Sequence, residues 1–317
     1  MRRALLAICA LSSLAAADTV DDYLPRLVAA ARKELATSVA THAPKLTPPT
    51  PVKIGWKPVR LGSIDLGSPL IAMASADLDH DGKAELFAVT SKEVIALSID
   101  RKVKVLARVA YTGEPSAQMP RDLFGTAAVD GDTLVAKCSG WAMELRVAWK
   151  GKALTATLGD ASGGAFVCPG ERLLPVPGRN HFGDVDKPIY EVRCANLVDK
   201  EGRQLAVRAQ LTPGKLSVTA GDKTTDLGDY GVAFAIGDVD RDGVPELAVS
   251  GAGAPGDPDA VKVFTLGGDE KKGLFRKVFQ GGVAGLAITD GDGDGVTEVI
   301  AAVRLAGAAR ADIWRLD

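Results

Sequence analysis

Asp238-Val239-Asp240-Arg241-Asp242-Gly243-Val244-Pro245-Glu246 is the stretch whose reading decides the fold. Aspartates at its first, third and fifth positions direct hard oxygens into one small turn. Gly243 at the sixth position permits the φ > 0 that so sharp a bend requires. Val244 at the seventh offers only its backbone carbonyl, and Glu246 closes the set at the ninth. Oxygen donors in this number and order suit Ca2+, which takes about six to eight of them. The pattern recurs at Asp77, Asp79, Asp81, Gly82, Lys83 and Glu85, and again at Asp290, Asp292, Asp294, Gly295, Val296 and Glu298. Three copies with the same closing glutamate predict about three bound Ca2+ ions, with Lys83, Val244 and Val296 each contributing a carbonyl.

An EF-hand carries its bidentate glutamate at the twelfth position between two helices, whereas Ala88, Val249 and Ala301 stand there. The flanks read as strands instead: IAMASAD and AELFAVT around the first loop, VAFAIGD and PELAVSG around the second, GLAITD and TEVIAAV around the third. Each metal loop therefore joins two β-strands. Partial copies fill the interval between Asp77 and Asp238: Asp130-Gly131-Asp132 and Asp184-Val185-Asp186. Successive starts at 77, 130, 184, 238 and 290 give a repeat of roughly 53 residues and five units over residues 52–317. Four short strands per unit make an all-β propeller of about five blades. The third unit has two phases open to it, because the stretch Gly163–Val176 also aligns with Phe124–Lys137 and would move its turn to Pro169-Gly170. Neither partial loop keeps three aspartates, so neither is expected to hold calcium.

The stretch Gly237–Pro255 resembles the FG-GAP repeat of integrin α-subunit propellers and the related bacterial VCBS-type repeats. The likeness includes Gly237-Asp238, the apolar Leu247-Ala248-Val249 and a literal Gly253-Ala254-Pro255. Phe124-Gly125 supplies the other half of the motif in the second unit. The first and third loops match through the calcium stretch and lack the Gly-Ala-Pro tail. This resemblance implies a calcium-bearing β-propeller, with about five blades here where integrins have seven.

The chain of 317 residues opens with Arg2 and Arg3, an apolar run from Ala4 to Leu14, and Ala15-Ala16-Ala17 before Asp18. That order reads as a secretory signal peptide over residues 1–17, cleaved near Ala17, and predicts a secreted or periplasmic protein. Residues 18–51 form a second segment. Leu24, Leu27, Val28, Ala31, Leu35 and Val39 make one apolar stripe on an expected helix from Asp21 to about Thr41, followed by a Pro-rich linker. No later apolar run approaches the length of a membrane span. Loss of Arg2 and Arg3 takes Lys+Arg from 38 to 36 against 40 Asp+Glu, a formal charge of −4. No basic stripe interleaved with aromatics appears, which argues against nucleic acid.

Closure of the ring is expected to pair a strand near Val52–Leu61 with the C-terminal Ala311–Leu316, so that no edge is left open. Of the cysteines remaining after export, Cys168 and Cys194 fall at strand ends in one unit and are expected to pair, leaving Cys138 as a thiol. Gly251, Gly253 and Gly256 match G-x-G-x-x-G, but the sequence after them reads as a strand where a dinucleotide site needs a helix. His181 beside Asp184 and Asp186 is a weak transition-metal pattern, and Tyr190 and Glu191 are the only acid/base candidates near it. The leading expectation is a monomeric, non-enzymatic calcium propeller that binds a protein or glycan. A calcium-dependent polysaccharide lyase or hydrolase is the alternative, with a structural cell-surface spacer as a third reading.

Overall fold

The computed structural model describes residues 24–34, 45–159, 164–254, 257–269, 272–305 and 309–317. The expected leader lies outside these residues, as do both ends of the expected helix. The chain divides into two units, Met1–Leu46 and Thr47–Asp317. Within the first, residues 24–34 are α-helical, with Leu24, Leu27 and Val28 exposed along one stripe. No helix among the described residues is long and apolar enough to cross a membrane.

The second unit is built of antiparallel sheets. Strand β1 (Pro58–Asp65) comes first and finds its partners at the far end of the chain. Blade one contains β2 (Leu70–Ala76), β3 (Glu85–Thr90), β4 (Glu93–Ser98) and β5 (Lys104–Ala110). Blade two contains β6 (Gly125–Asp130), β7 (Thr133–Cys138), β8 (Leu145–Lys150) and β9 (Ala153–Leu158). Two short hairpins follow, β10 (Ala165–Cys168) with β11 (Glu171–Leu173), and β12 (Phe182–Gly183) with β13 (Pro188–Ile189). Blade three is β14 (Glu191–Val198), β15 (Gln204–Thr212), β16 (Lys215–Ala220) and β17 (Lys223–Leu227). Blade four is β18 (Phe234–Gly237), β19 (Glu246–Val249), β20 (Asp259–Thr265) and β21 (Phe275–Phe279). Blade five is β22 (Val283–Thr289), β23 (Glu298–Arg304) and β24 (Arg310–Leu316), completed on the outside by β1. The fold is a β-propeller of five four-stranded blades.

Burial explains the pattern of apolar runs. Second strands such as ELFAVT (β3) and ELAV (β19) are covered on both faces by the neighbouring blades and read as continuous apolar segments. The outer KVLARVA (β5) alternates at the surface. Separate apolar clusters fill the wedges between blades: Phe87, Ala96 and Leu134 between one and two, Leu211, Phe234 and Leu247 between three and four.

Between blades two and three the regularity breaks. Strand β10 packs beside both β6 and β14, so this two-stranded hairpin takes a place in the inner ring. The Pro169-Gly170 turn closes this hairpin, so neither turn expected for the third unit lies in the four-stranded blade three. The next inner turn is Asp199–Arg203, joining β14 to β15. Asp184 and Asp186 sit in the separate β12–β13 hairpin, and their 54-residue distance from both neighbours is a coincidence of two short elements. The wedge at β10 is thin, with Val167, Cys168 and Val192 as its buried members. The Cys168–Cys194 disulfide (Cα–Cα 5.7 Å) fastens β10 to β14 there, and Cys138 is a buried free thiol. Cys168→Ala with Cys194→Ala is expected to cost about 2–4 kcal/mol in urea denaturation. A loss under about 1 kcal/mol would mean that the wedge holds without its bridge.

Closure differs from the expectation in register: β1 begins at Pro58, and the preceding residues run as irregular chain. Pro58 pairs with Leu316 at the start of the outermost strand, where its missing N–H costs little.

Candidate metal centres

The three acidic loops join inner to second strands in blades one, four and five, so topology places them on one face of the propeller. Because blade five adjoins blade one, they occupy three consecutive positions in the ring. They also touch. Arg241 Nη1 donates to Gly295 O (3.1 Å), Thr297 Oγ1 to Asp238 O (3.0 Å), and Ala84 N to Asp290 O (2.9 Å).

Each loop is wound by its own first aspartate. Asp238 Oδ1 accepts from Asp242 N and its Oδ2 from Gly243 N, both at 3.0 Å. Asp77 does the same for Asp81 N (3.1 Å) and Gly82 N (3.0 Å), and Asp290 for Gly293 N (2.7 Å) and Gly295 N (2.8 Å). The sixth-position glycines have φ of 88°, 80° and 84°, as the turn requires. The fourth position is left-handed as well, and there only the third loop has glycine: His80 has φ 60° and Arg241 φ 57°. The sequence reading missed this strain, since neither residue advertises it.

The closing glutamates are drawn inside. Glu85, Glu246 and Glu298 are buried, and one oxygen of each accepts from the second residue of its loop: Leu78 N (3.1 Å), Val239 N (2.9 Å) and Gly291 N (3.1 Å). The carboxylates Asp77, Asp79, Asp81 and Glu85 place ligand oxygens within 4.8 Å of one another, and so do Asp290, Asp292, Asp294 and Glu298. In blade four Asp238, Asp240 and Glu246 form such a group, and Asp242 stands outside it. Glu246 is 0% exposed and its Oε1 has no hydrogen-bond partner. Asp292 Oδ1 is likewise buried and unpartnered, while Arg315 Nη1 holds the other oxygen at 2.9 Å. Burial, with the neighbouring aspartates adding to it, pushes Glu246 up to about 8 and Glu85 and Glu298 up to about 7. Asp238 and Asp240 rise for the same reasons. These pockets could each hold a metal ion, because an all-oxygen set fits a hard divalent cation.

Lys83, Val244 and Val296 occupy the seventh positions, and the Lys83 ammonium turns away to Asp100 (3.1 Å). The equivalent turn of blade three shows how the same geometry manages without a metal. Asp199 Oδ1 accepts from Arg203 N (2.8 Å), matching the fifth-position contact of the loops in blades one and four, and Arg203 Nε reaches Oδ2 at 2.7 Å. Arg203 Nη2 also meets Glu201 Oε2 at 3.0 Å, so a guanidinium stands where the acidic loops gather oxygens. Blade two keeps only Asp130 and Asp132, the latter 3.5 Å from the exposed His80.

The weaker patterns separate. His181, Asp184 and Asp186 form no metal group among the described residues. The His181 and Tyr190 rings lie 6.5 Å apart, edge to face. Glu191 is buried with Arg193 Nε 3.1 Å away, and Arg193, which lines the central channel, donates through Nη1 to Met73 O (2.6 Å) on β2. After the glycines at 251 and 253 comes β20, a strand.

Burial raises Glu191 to about 7. A folded-state value above the unfolded one favours the protonated acid. Its stabilisation is thus full below about 4.5, falls as pH rises towards 7, and is constant beyond. Glu191→Gln is expected to be more stable than wild type by a few kcal/mol above that window and equal below it. Urea midpoints measured on both sides of the window check this, and a pH-independent difference would refute it.

No protein-family model matches the chain, and no curated protein matches it. Among solved structures it is similar to the crystal structure of BBS1N in complex with ARL6DN, soaked with lead (12% identity, TM-score 0.34, 84% of this chain and 98% of that one). It is also similar to the Saccharomyces cerevisiae core factor (8% identity, TM-score 0.36, 88% of this chain and 63% of that one).

Proposed function

We propose that this chain is an exported, calcium-binding β-propeller of the FG-GAP or VCBS type that acts as a non-enzymatic binding module. The observation that carries the metal reading is Glu246: a fully buried carboxylate with one oxygen unpartnered, grouped with Asp238 and Asp240. A divalent cation supplies the missing partner and removes the repulsion that raises these acids. The ions hold the start of one strand to the end of another and serve the fold. Ligand recognition falls to the opposite face, where the connections between blades are free of that task.

Native mass spectrometry of the mature protein in calcium is expected to show about three bound ions. Asp240→Ala is expected to remove one, while Asp132→Ala and Asp199→Ala remove none, because blades two and three hold no acidic triad. Absence of bound calcium, or equal loss from Asp199→Ala, would sink the assignment. A screen of polysaccharides for cleavage separates this reading from a lyase or hydrolase, since turnover would favour the enzyme.

A further inference from the structure

A groove of about 640 Å3 opens on the face opposite the acidic loops, where three inter-strand connections meet. Leu66 and Leu70 belong to the connection from β1 into blade one, Lys277 and Phe279 to the end of β21, and Arg304 and Leu305 to the end of β23. Its volume lies within the usual range for ligand pockets.

The charges in this groove do not cancel. Arg304 is half-buried and, among the described residues, has no carboxylate partner; burial alone acts on its guanidinium, pulling its pKa down. Lys277 Nζ lies 5.9 Å from the centroid of Phe279 and 5.7 Å from that of Trp314, also without a described carboxylate within ion-pair distance. The acid in the wall, Asp312, is already engaged. Arg60 donates to both its oxygens (2.9 and 2.8 Å) and Ser63 Oγ to one (2.6 Å), which holds its carboxyl below the usual range. Arg310 adds a further positive charge near Asp312. Of the three cations in the lining, Arg304 and Lys277 therefore face a largely aliphatic and aromatic groove with no counter-charge of their own.

We propose that this groove binds an acidic, partly apolar peptide segment of a partner protein. The partner's carboxylates engage Arg304 and Lys277, and its aliphatic side chains lie against Leu305 and the exposed Val278. Arg suits this task because its planar fork matches a carboxylate in two parallel hydrogen bonds. A neutral glycan fits less well: Gln280 and the Trp314 indole are the uncharged side-chain groups in the lining able to address hydroxyls, and the cations would go unused. This assignment rests on the reading of the chain as a binding module and names the partner's chemistry.

Fluorescence anisotropy tests it with the calcium-loaded mature protein and a labelled peptide alternating glutamate and leucine. A lysine–leucine peptide and an oligogalacturonate serve as the other arms. Saturable binding of the acidic peptide, weakened by added salt, is expected, with none for the basic one. Arg304→Gln and Lys277→Gln should each weaken it roughly tenfold, as loss of one charged hydrogen bond does, whereas Lys215→Gln on blade three should not. Lys277 is the control against misfolding, since its side chain is partly exposed on the outermost strand of blade four. No saturable binding, equal affinity in the Arg304 and Lys277 variants, or tighter capture of the oligogalacturonate would overturn the proposal. Melting curves of the same samples keep the two readings apart. A calcium-dependent midpoint without peptide binding defeats the groove alone, and peptide binding without a calcium response defeats the metal assignment alone.

Discussion

Chelation with EGTA is expected to lower the melting temperature of the protein, and added calcium to restore it. Each acidic loop gathers three or four carboxylates with oxygens within 4.8 Å, around a buried glutamate whose ionised form burial disfavours. Without a cation these groups must take up protons or push the turn apart. With one, the fold gains by mass action: at calcium about 100 times the dissociation constant, each site adds roughly 2.7 kcal/mol. Extracellular calcium modules have dissociation constants on the order of 10⁻⁴ to 10⁻³ M, so the full effect needs roughly 10–100 mM calcium and millimolar calcium gives part of it. For a domain of this size each such site corresponds to roughly 5–10 °C in midpoint. The loops touch one another through Arg241, Thr297 and Ala84, which couples neighbouring sites. Asp240→Ala should therefore remove at least one site's share of the shift. A melting curve indifferent to millimolar calcium would defeat the reading.

How far the sequence carries follows from how local each feature is. The strand–loop–strand units around Asp77, Asp238 and Asp290 are legible because ligand spacing, a φ > 0 glycine and apolar flanks all lie within about 20 residues. The Cys168–Cys194 pair was legible from strand ends. The third unit was not, because β10 and β11 are only four and three residues long and leave no periodic signal. The inner turns at Pro169-Gly170 and Asp199–Arg203 break the 53-residue step that the sequence suggested. Arg203 could have been noticed as a fixed cation beside Asp199 and Glu201, but a turn with two acids and an arginine reads as an ordinary solvated loop. Nothing in the sequence joins Leu66, Lys277 and Arg304, since only the closed ring brings these connections to one groove.

Ile313→Asp is expected to abolish cooperative folding, because it strikes the seam of the ring. Strand β24 bridges β1 and the rest of blade five: on one side it pairs with β1 and on the other with β23. Beyond it, Lys57 N donates to Asp317 O, extending the seam to the last residue. Ile313 stands opposite Gly62 and Ala302, is 1% exposed, and shares one apolar cluster with Leu61, Met73, Ile95 and Ile300 from blades five and one. A carboxylate there has no partner among these side chains, and an unpaired buried charge costs several kcal/mol or more. Domains have about 5–15 kcal/mol of stability in total, so this one change approaches the whole of it. Losing the seam also frees β1 and leaves its partner strand an open edge, which invites association. Ile313→Val, which removes one methyl and no register contact, should cost only about 0.5–1.5 kcal/mol and separates burial of charge from loss of packing. Urea denaturation followed by tryptophan fluorescence and near-UV dichroism reads both. An Ile313→Asp protein that melts cooperatively near the wild-type midpoint would mean that the ring does not depend on this seam.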